Sequence, residues 1–283
     1  MYEAFYGLKE RPFSILPDPE FLFWAVPHSF AYTMLDFGLM SQAPITVITG
    51  EVGAGKTTLV RHLLNQVPHD LKIGLISNAG ADRGDLLHWV MMSLDQEFEG
   101  FSYVKLFQKF QSLLISEYAL GRRTVLIFDE AQNLTPGELE ELRMLSNING
   151  DKDNLLQLIL VGQPQLRKTL QDPDLLQFTQ RISSDFHLRP LSADEVREYI
   201  AHRLSVAGAE RQIFTDNASD LVFQTTGGVP RLINILCDKC LVYGFSEELP
   251  TIDEKIVWQV FEDKATYGIF PGQGLKQHSR QRA

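Results

Sequence analysis

The nine residues Gly50-Glu51-Val52-Gly53-Ala54-Gly55-Lys56-Thr57-Thr58 constrain this chain more than any other stretch, because they meet the pattern G-x-x-x-x-G-K-[ST] between a strand and a helix. The β-branched run Ile45-Thr46-Val47-Ile48-Thr49 precedes them and reads as a buried strand. Leu59-Val60-Arg61-His62-Leu63-Leu64 follows and reads as a helix. Closely spaced glycines let the backbone wrap tightly around an anion. The N–H groups of Gly53, Ala54, Gly55, Lys56 and Thr57 then face phosphate oxygens with the helix dipole behind them. Gly50 and Thr58 complete the expected nucleotide-binding set. Lys56 would reach the β- and γ-phosphates, and Thr57 offers a hydroxyl to Mg²⁺, a hard cation that takes oxygen ligands. The bland alternative is a glycine-rich turn that matches by chance; the strand–loop–helix context speaks against it.

A chain of 283 residues has room for roughly two domains. Its 44% hydrophobic and 22% charged content is that of an ordinary globular protein. Lys plus Arg (26) against Asp plus Glu (36) leaves a net charge of −10, which excludes a surface built throughout to lie on nucleic acid or an anionic membrane. A local basic patch is compatible with that balance. The start, Met1-Tyr2-Glu3-Ala4-Phe5-Tyr6, has neither a basic region nor an apolar run, and no stretch approaches the ~18 apolar residues of a membrane span. The expected location is therefore cytoplasmic, reaching the inner membrane only through a partner. Cys237 and Cys240 form a C-x-x-C inside a segment of helical periodicity, with no second ligand pair to complete a zinc site, so a place in or on a helix is expected.

Residues 2–27 are rich in Phe, Tyr, Trp and Pro without a clear period, and read as an irregular collar covering something apolar, an adenine base among the candidates. Lys72 to Ser77, Thr124 to Phe128 and Leu156 to Val161 have strand character, while 84–97 and 103–120 carry helical spacing. Alternating elements predict a parallel sheet between helices, with ligands at the carboxyl ends of the strands. Asp185 to Arg189 is a weaker fifth strand. Beyond Pro190 the pattern turns helical: Ser192-Ala193-Asp194-Glu195 and Thr251-Ile252-Asp253-Glu254 each read as a capping box, with further helices near 215–226 and 229–245. The expected organisation is an α/β domain with its collar over 1–190, a small all-helical domain over 191–267, and a polar, frayed tail over 268–283.

The apolar strand Val125-Leu126-Ile127-Phe128 ends in Asp129-Glu130, which would bring both carboxylates to the sheet edge that carries the phosphate loop. Asp129 is placed to hold the Mg²⁺ shell and Glu130 to deprotonate a water for attack on the γ-phosphate. An exposed acidic turn is the rival reading. Gln163, at the end of another strand, can reach the γ-phosphate or the attacking water, or simply cap a loop. Arg181, just before the fifth strand, is either a surface charge or a cation offered to a neighbouring subunit's nucleotide. Arg231 lies in the first turn of a helix, where a cation opposes the dipole; a phosphate opposite it would explain that placement.

With these motifs the chain resembles AAA+ ATPases, and more narrowly the general secretion pathway protein A (ExeA-like) family. Phe5-Tyr6-Gly7-Leu8, Pro12-Phe13-Ser14, Pro17-Asp18-Pro19, His28, the phosphate loop, Asp129-Glu130-Ala131-Gln132-Asn133-Leu134, Val161-Gly162-Gln163-Pro164 and Gly228-Val229-Pro230-Arg231-Leu232-Ile233-Asn234 carry the likeness over about residues 1–267. The resemblance implies a P-loop NTPase sheet of order 5-1-4-3-2 followed by a helical lid, with ATP and Mg²⁺ at the junctions of a homo-oligomer. It puts Gln163 at sensor 1, Arg181 at the arginine finger and Arg231 at sensor 2. The proteins that name the family continue into a transmembrane helix and a periplasmic peptidoglycan-binding domain. This chain stops before them, and so resembles the short members associated with exosortase, exopolysaccharide or pilus systems. The expectation is an ATPase coupled, through an envelope-system protein partner, to assembly or export of an envelope component. The alternative is a DNA-associated ATPase resembling transposition target selectors or origin-recognition proteins, against which stand the charge and the lack of an appended DNA-binding domain.

Overall fold

The computed structural model describes residues 1–16, 18–66, 70–77, 85–148 and 154–267. Pro17 of the collar and the expected tail over 268–283 lie outside the described residues. Five strands, β1 (Ile45–Gly50), β2 (Leu71–Ser77), β3 (Arg123–Asp129), β4 (Leu156–Gly162) and β5 (Ile182–Leu188), pair in parallel in the order β2-β3-β4-β1-β5. Read from the other edge, this is the expected 5-1-4-3-2. Helices α1 (Glu3–Tyr6) and α2 (Val26–Met40) precede β1, and α3 (Lys56–Gln66) follows it; α4 (Leu86–Ser93) and α5 (Tyr103–Ala119) join β2 to β3. Next, α6 (Pro136–Leu145) precedes β4, and α7 (Pro164–Leu170) and α8 (Leu176–Thr179) precede β5; α9 (Ala193–Val206), α10 (Asp216–Thr226), α11 (Pro230–Ser246) and α12 (Glu254–Tyr267) close the described chain.

The described residues divide into two compact units, one within 29–51 and 59–188, the other within 1–28, 52–58 and 189–267. The first holds the sheet. Every residue of β1 and β4 is buried, as parallel strands covered on both faces require. The same core takes in Leu86, Leu87, Val90 and Met91 of α4, which lies on β2, and Leu106, Phe110 and Leu114 of α5, which lies on β3, the last three spaced four apart on one helical face. Each such side chain, taken fully out of water, contributes about 1.5–3 kcal/mol. Because all five strands run the same way, Gly50, Asp129, Gly162 and Leu188 emerge at one edge. β5 starts at Ile182, three residues before the expected Asp185, and its register against β1 shifts between Ile45 and Thr46. Helix α2 is absent from the sequence reading: Ala31, Leu35 and Leu39 are buried, but Phe30, Phe37 and Met40 on its other side are exposed, so it lacks the polar face that makes a helix legible.

In the second unit Tyr2, Tyr6, Leu8, Phe13 and Phe21 of the collar enter one core with Val196, Ile200, Val222, Ile233 and Val257 of α9 to α12. Buried Arg203 on α9 donates from Nε to the Pro12 carbonyl (2.6 Å) and from Nη2 to the Ser14 carbonyl (3.2 Å), with its guanidinium 4.4 Å from the Phe21 ring centre. The Asn234 amide also donates to the Ser14 carbonyl, at 3.2 Å, and accepts from the Tyr199 hydroxyl at 2.9 Å. The aromatic opening is thereby held by hydrogen bonds as well as burial. Ser192 and Glu195 form the expected capping box of α9. The second expected box is corrected: Asp253, not Thr251, caps α12, accepting from the N–H groups of Lys255 and Ile256, because Ile252 is drawn into a bridge with Phe214. Cys237 and Cys240 are buried free thiols on α11, and burial pushes both well above the usual thiol range, so they are core residues.

Candidate functional site

The phosphate loop leaves β1 at Gly50 and enters α3 at Lys56. Gly53 (φ 81°) and Gly55 (φ 97°) both take the left-handed backbone that L side chains avoid. Gly53 has a second reason to be glycine: a Cβ there would strike the Cβ of Arg231 and lie 3.2 Å from its Cδ. The Gly53 carbonyl accepts from the Arg231 N–H at 3.2 Å. A helix cannot use its own first N–H groups in its ladder, and in α11 the loop takes one of them. The Arg231 side chain is exposed. Gly53, Ala54, Gly55, Lys56, Thr57 and Thr58 therefore share a unit with Arg231. Ala54 and Lys56 are buried; Thr57 and Thr58 are half-buried in the first turn of α3.

His28, noted in the sequence only as part of a resemblance, lies against this loop. Its Nε2 is 3.0 Å from the Ala54 carbonyl. A carbonyl only accepts, so Nε2 carries the proton and Nδ1 is left as an acceptor. Nδ1 is buried and has no partner among the described residues. Burial, acting against the Ala54 hydrogen bond, holds the imidazole below its usual range and keeps it neutral. A buried acceptor left unmet costs about 1–3 kcal/mol, which a ligand donor would recover.

The remaining predicted residues, Gly50, Asp129, Glu130, Gln163 and Arg181, belong to the sheet unit. Glu130 follows β3 at φ 57°, ψ 36°, a left-handed conformation that costs a non-glycine residue about 1–2 kcal/mol and is typical of functional positions. Its N–H donates to Asp129 Oδ1 at 2.9 Å. Its Oε2 accepts from the Gln163 amide at 3.0 Å and from the Gln132 amide at 2.5 Å. Gln163 stands at the N-cap of α7 without capping it through its side chain, which goes to Glu130 instead. Arg181 is half-buried and donates to Ser146 Oγ at 3.0 Å; that hydroxyl in turn donates to the Arg143 carbonyl at 2.7 Å. Gln132 was visible in the Asp129–Leu134 motif but had no role there, because its partners are set by the end of β4.

Residues 39–170 match the family model described as an AAA domain. Over 247 residues, 87% of this chain, the sequence is 41% identical to general secretion pathway protein A of Aeromonas hydrophila. The chain thus carries an AAA domain and is similar to general secretion pathway protein A. It spans about half of that curated relative, 45% of its length. Among solved structures, this AAA-domain protein resembles the ORC2 protein of Aeropyrum pernix (TM-score 0.63, 16% identity, 90% of this chain and 72% of that one). A Walker-type ATPase of Pyrococcus abyssi is similar (0.62, 18%, 90% and 76%), as is Cdc6p of Pyrobaculum aerophilum (0.61, 17%, 84% and 68%). At these identities the likeness speaks for the fold alone. No helix among the described residues is long and apolar enough to cross a membrane.

Proposed function

We propose that this AAA-domain protein binds ATP with Mg²⁺ and hydrolyses it, at junctions between copies of itself, to drive assembly or export of an envelope component. The observation that carries the hydrolytic part is the Glu130 carboxylate, held by the Gln163 amide at the sheet edge from which β1 delivers the phosphate loop. The left-handed glycines, the first turn of α3 and the orphaned Nδ1 of His28 suit an anionic ligand that also carries hydrogen-bond donors, as an adenine nucleotide does. The Thr57 hydroxyl and the Asp129 carboxylate are oxygen donors of the kind a hard divalent cation takes. When bound, that cation neutralises phosphate charge. Lys56 brings a positive charge to the β- and γ-phosphates. Glu130 accepts a proton from water as its oxygen bonds to the γ-phosphorus, and the bond from that phosphorus to the bridging oxygen breaks, leaving ADP and phosphate. Gln163 orients the water, Arg231 meets phosphate charge beside the loop, and Arg181 of one copy meets the charge that develops at the next.

The envelope role rests on the relative's name, general secretion pathway protein A, and implies a cytoplasmic protein that reaches the inner membrane through an envelope-system partner. Lys56→Ala should abolish measurable ATP binding in calorimetry. Glu130→Gln should bind ATP normally while phosphate release falls on the order of 10²–10⁴-fold, the usual worth of a general base. Turnover by Glu130→Gln at the wild-type rate removes Glu130 from the chemistry. A second reading, a DNA-associated ATPase, draws on two fold neighbours, the A. pernix ORC1 protein in complex with DNA and Drosophila ORC bound to DNA (TM-scores 0.60 and 0.61, each 16% identical), whose likeness is one of fold. The net charge of −10 weighs against it. ATP hydrolysis stimulated by duplex DNA, and lost at raised salt, would favour that reading.

A further inference from the structure

Gln132 lies in the 3-10 turn Ala131–Asn133, two residues after Glu130, and is half-buried. Both ends of its amide are engaged. Nε2 donates to Glu130 Oε2 at 2.5 Å, and Oε1 accepts from the backbone N–H of Gln163 at 2.9 Å. Only one orientation of the amide satisfies both, since a carboxylate accepts and an N–H donates. The Gln163 side chain completes a ring by donating to the same Glu130 oxygen at 3.0 Å. Two of these three hydrogen bonds tie the turn after β3 to the residue after β4, and the third, from Gln132 to Glu130, closes the ring within the turn. Gly162 leaves room for this: a Cβ there would lie 3.2 Å from Gln132 Oε1 and 2.8 Å from Leu166 Cδ2. A glutamate side chain has several freely rotating bonds, and the backbone beneath this one is itself strained. Its carboxylate needs an external clamp to hold one position.

We infer that Gln132 is a positioning residue for hydrolysis: it holds the Glu130 carboxylate in register with Gln163, so that the base and the group orienting the water keep one geometry. This rests on the reading of Glu130 as the general base. Gln132→Met keeps the length of the side chain and removes both hydrogen bonds; Gln132→Ala removes the side chain. Both should lower kcat about 10- to 100-fold, the loss of a hydrogen bond to a charged group, with KM and ATP affinity within about threefold of wild type. Gln132→Met at the wild-type kcat, or a loss of ATP affinity that parallels the loss of kcat, overturns the inference. A second measurement needs no turnover. The Gln132 side-chain amide protons, identified as the NMR signals missing from either variant, should exchange slowly in the wild type and shift in Glu130→Ala. Fast exchange in the wild type, with no shift in Glu130→Ala, overturns the clamp. If the wild type hydrolyses no ATP, the reading of Glu130 as a base fails by itself, and the amide signals still decide whether Gln132 holds the carboxylate.

Discussion

Replacing Gly53 with Ala tests whether the close seat of Arg231 on the phosphate loop matters to the protein. At φ 81° an L side chain carries about 1–2 kcal/mol of backbone strain. The new methyl group also meets Arg231 at Cβ, near the backbone rather than at the yielding end of the side chain, so the first turn of α11 must move. That movement breaks the hydrogen bond from the Arg231 N–H to the Gly53 carbonyl, worth about 0.5–1.5 kcal/mol. The sum is about 1.5–3.5 kcal/mol. Gly7 provides a control in the same unit: its φ is 73°, and an added Cβ would have no atom within 4 Å, so Gly7→Ala carries the strain alone. Urea unfolding of both variants should show Gly53→Ala less stable than Gly7→Ala by at least about 0.5 kcal/mol. Calorimetry should show ATP affinity lowered about tenfold or more in Gly53→Ala and unchanged in Gly7→Ala. Equal stability of the two variants, with normal ATP binding by Gly53→Ala, would refute the reasoning.

Arg181→Ala should bind ATP almost normally yet hydrolyse it on the order of 10³–10⁵-fold more slowly, because its charge is needed only as the transition state forms. Mixing it with Lys56→Ala should restore part of the rate, since one variant supplies an intact loop and the other an intact arginine; a mixture as inactive as its parents shows that Arg181 does not act between copies. Burial holds His28 below its usual range, so below about pH 6.5 the unfolded chain takes up a proton that the folded chain refuses. Stability should therefore be full above that pH and fall as pH drops, by at most about 1.4 kcal/mol per pH unit from this residue. His28→Gln, which keeps a donor for Ala54, should flatten that fall in urea unfolding at pH values from about 5 to about 7.5.

Local pattern was enough to read the phosphate loop, the strand that ends in Asp129 and Glu130, and the four C-terminal helices, because each depends on residues a few positions apart: glycines at a turn, a period of 3.6, a cap such as Ser192. The sheet order came from the family resemblance and not from periodicity, since pairings such as Ile48 with Val161 join residues that no local window contains. Tertiary structure alone decided the rest. It assigned the aromatic collar to the core of the C-terminal helices, where Arg203 and Asn234 hold it. It made a helix of Val26–Met40, whose apolar residues on both sides give no amphipathic signal. It placed Arg231 on Gly53 and left one nitrogen of His28 without a partner among the described residues. The ring that joins Glu130, Gln132 and Gln163 belongs to the same class. A glutamine amide donates and accepts wherever it is, and only the packing of parallel strands brings a carboxylate and a backbone N–H to its two ends.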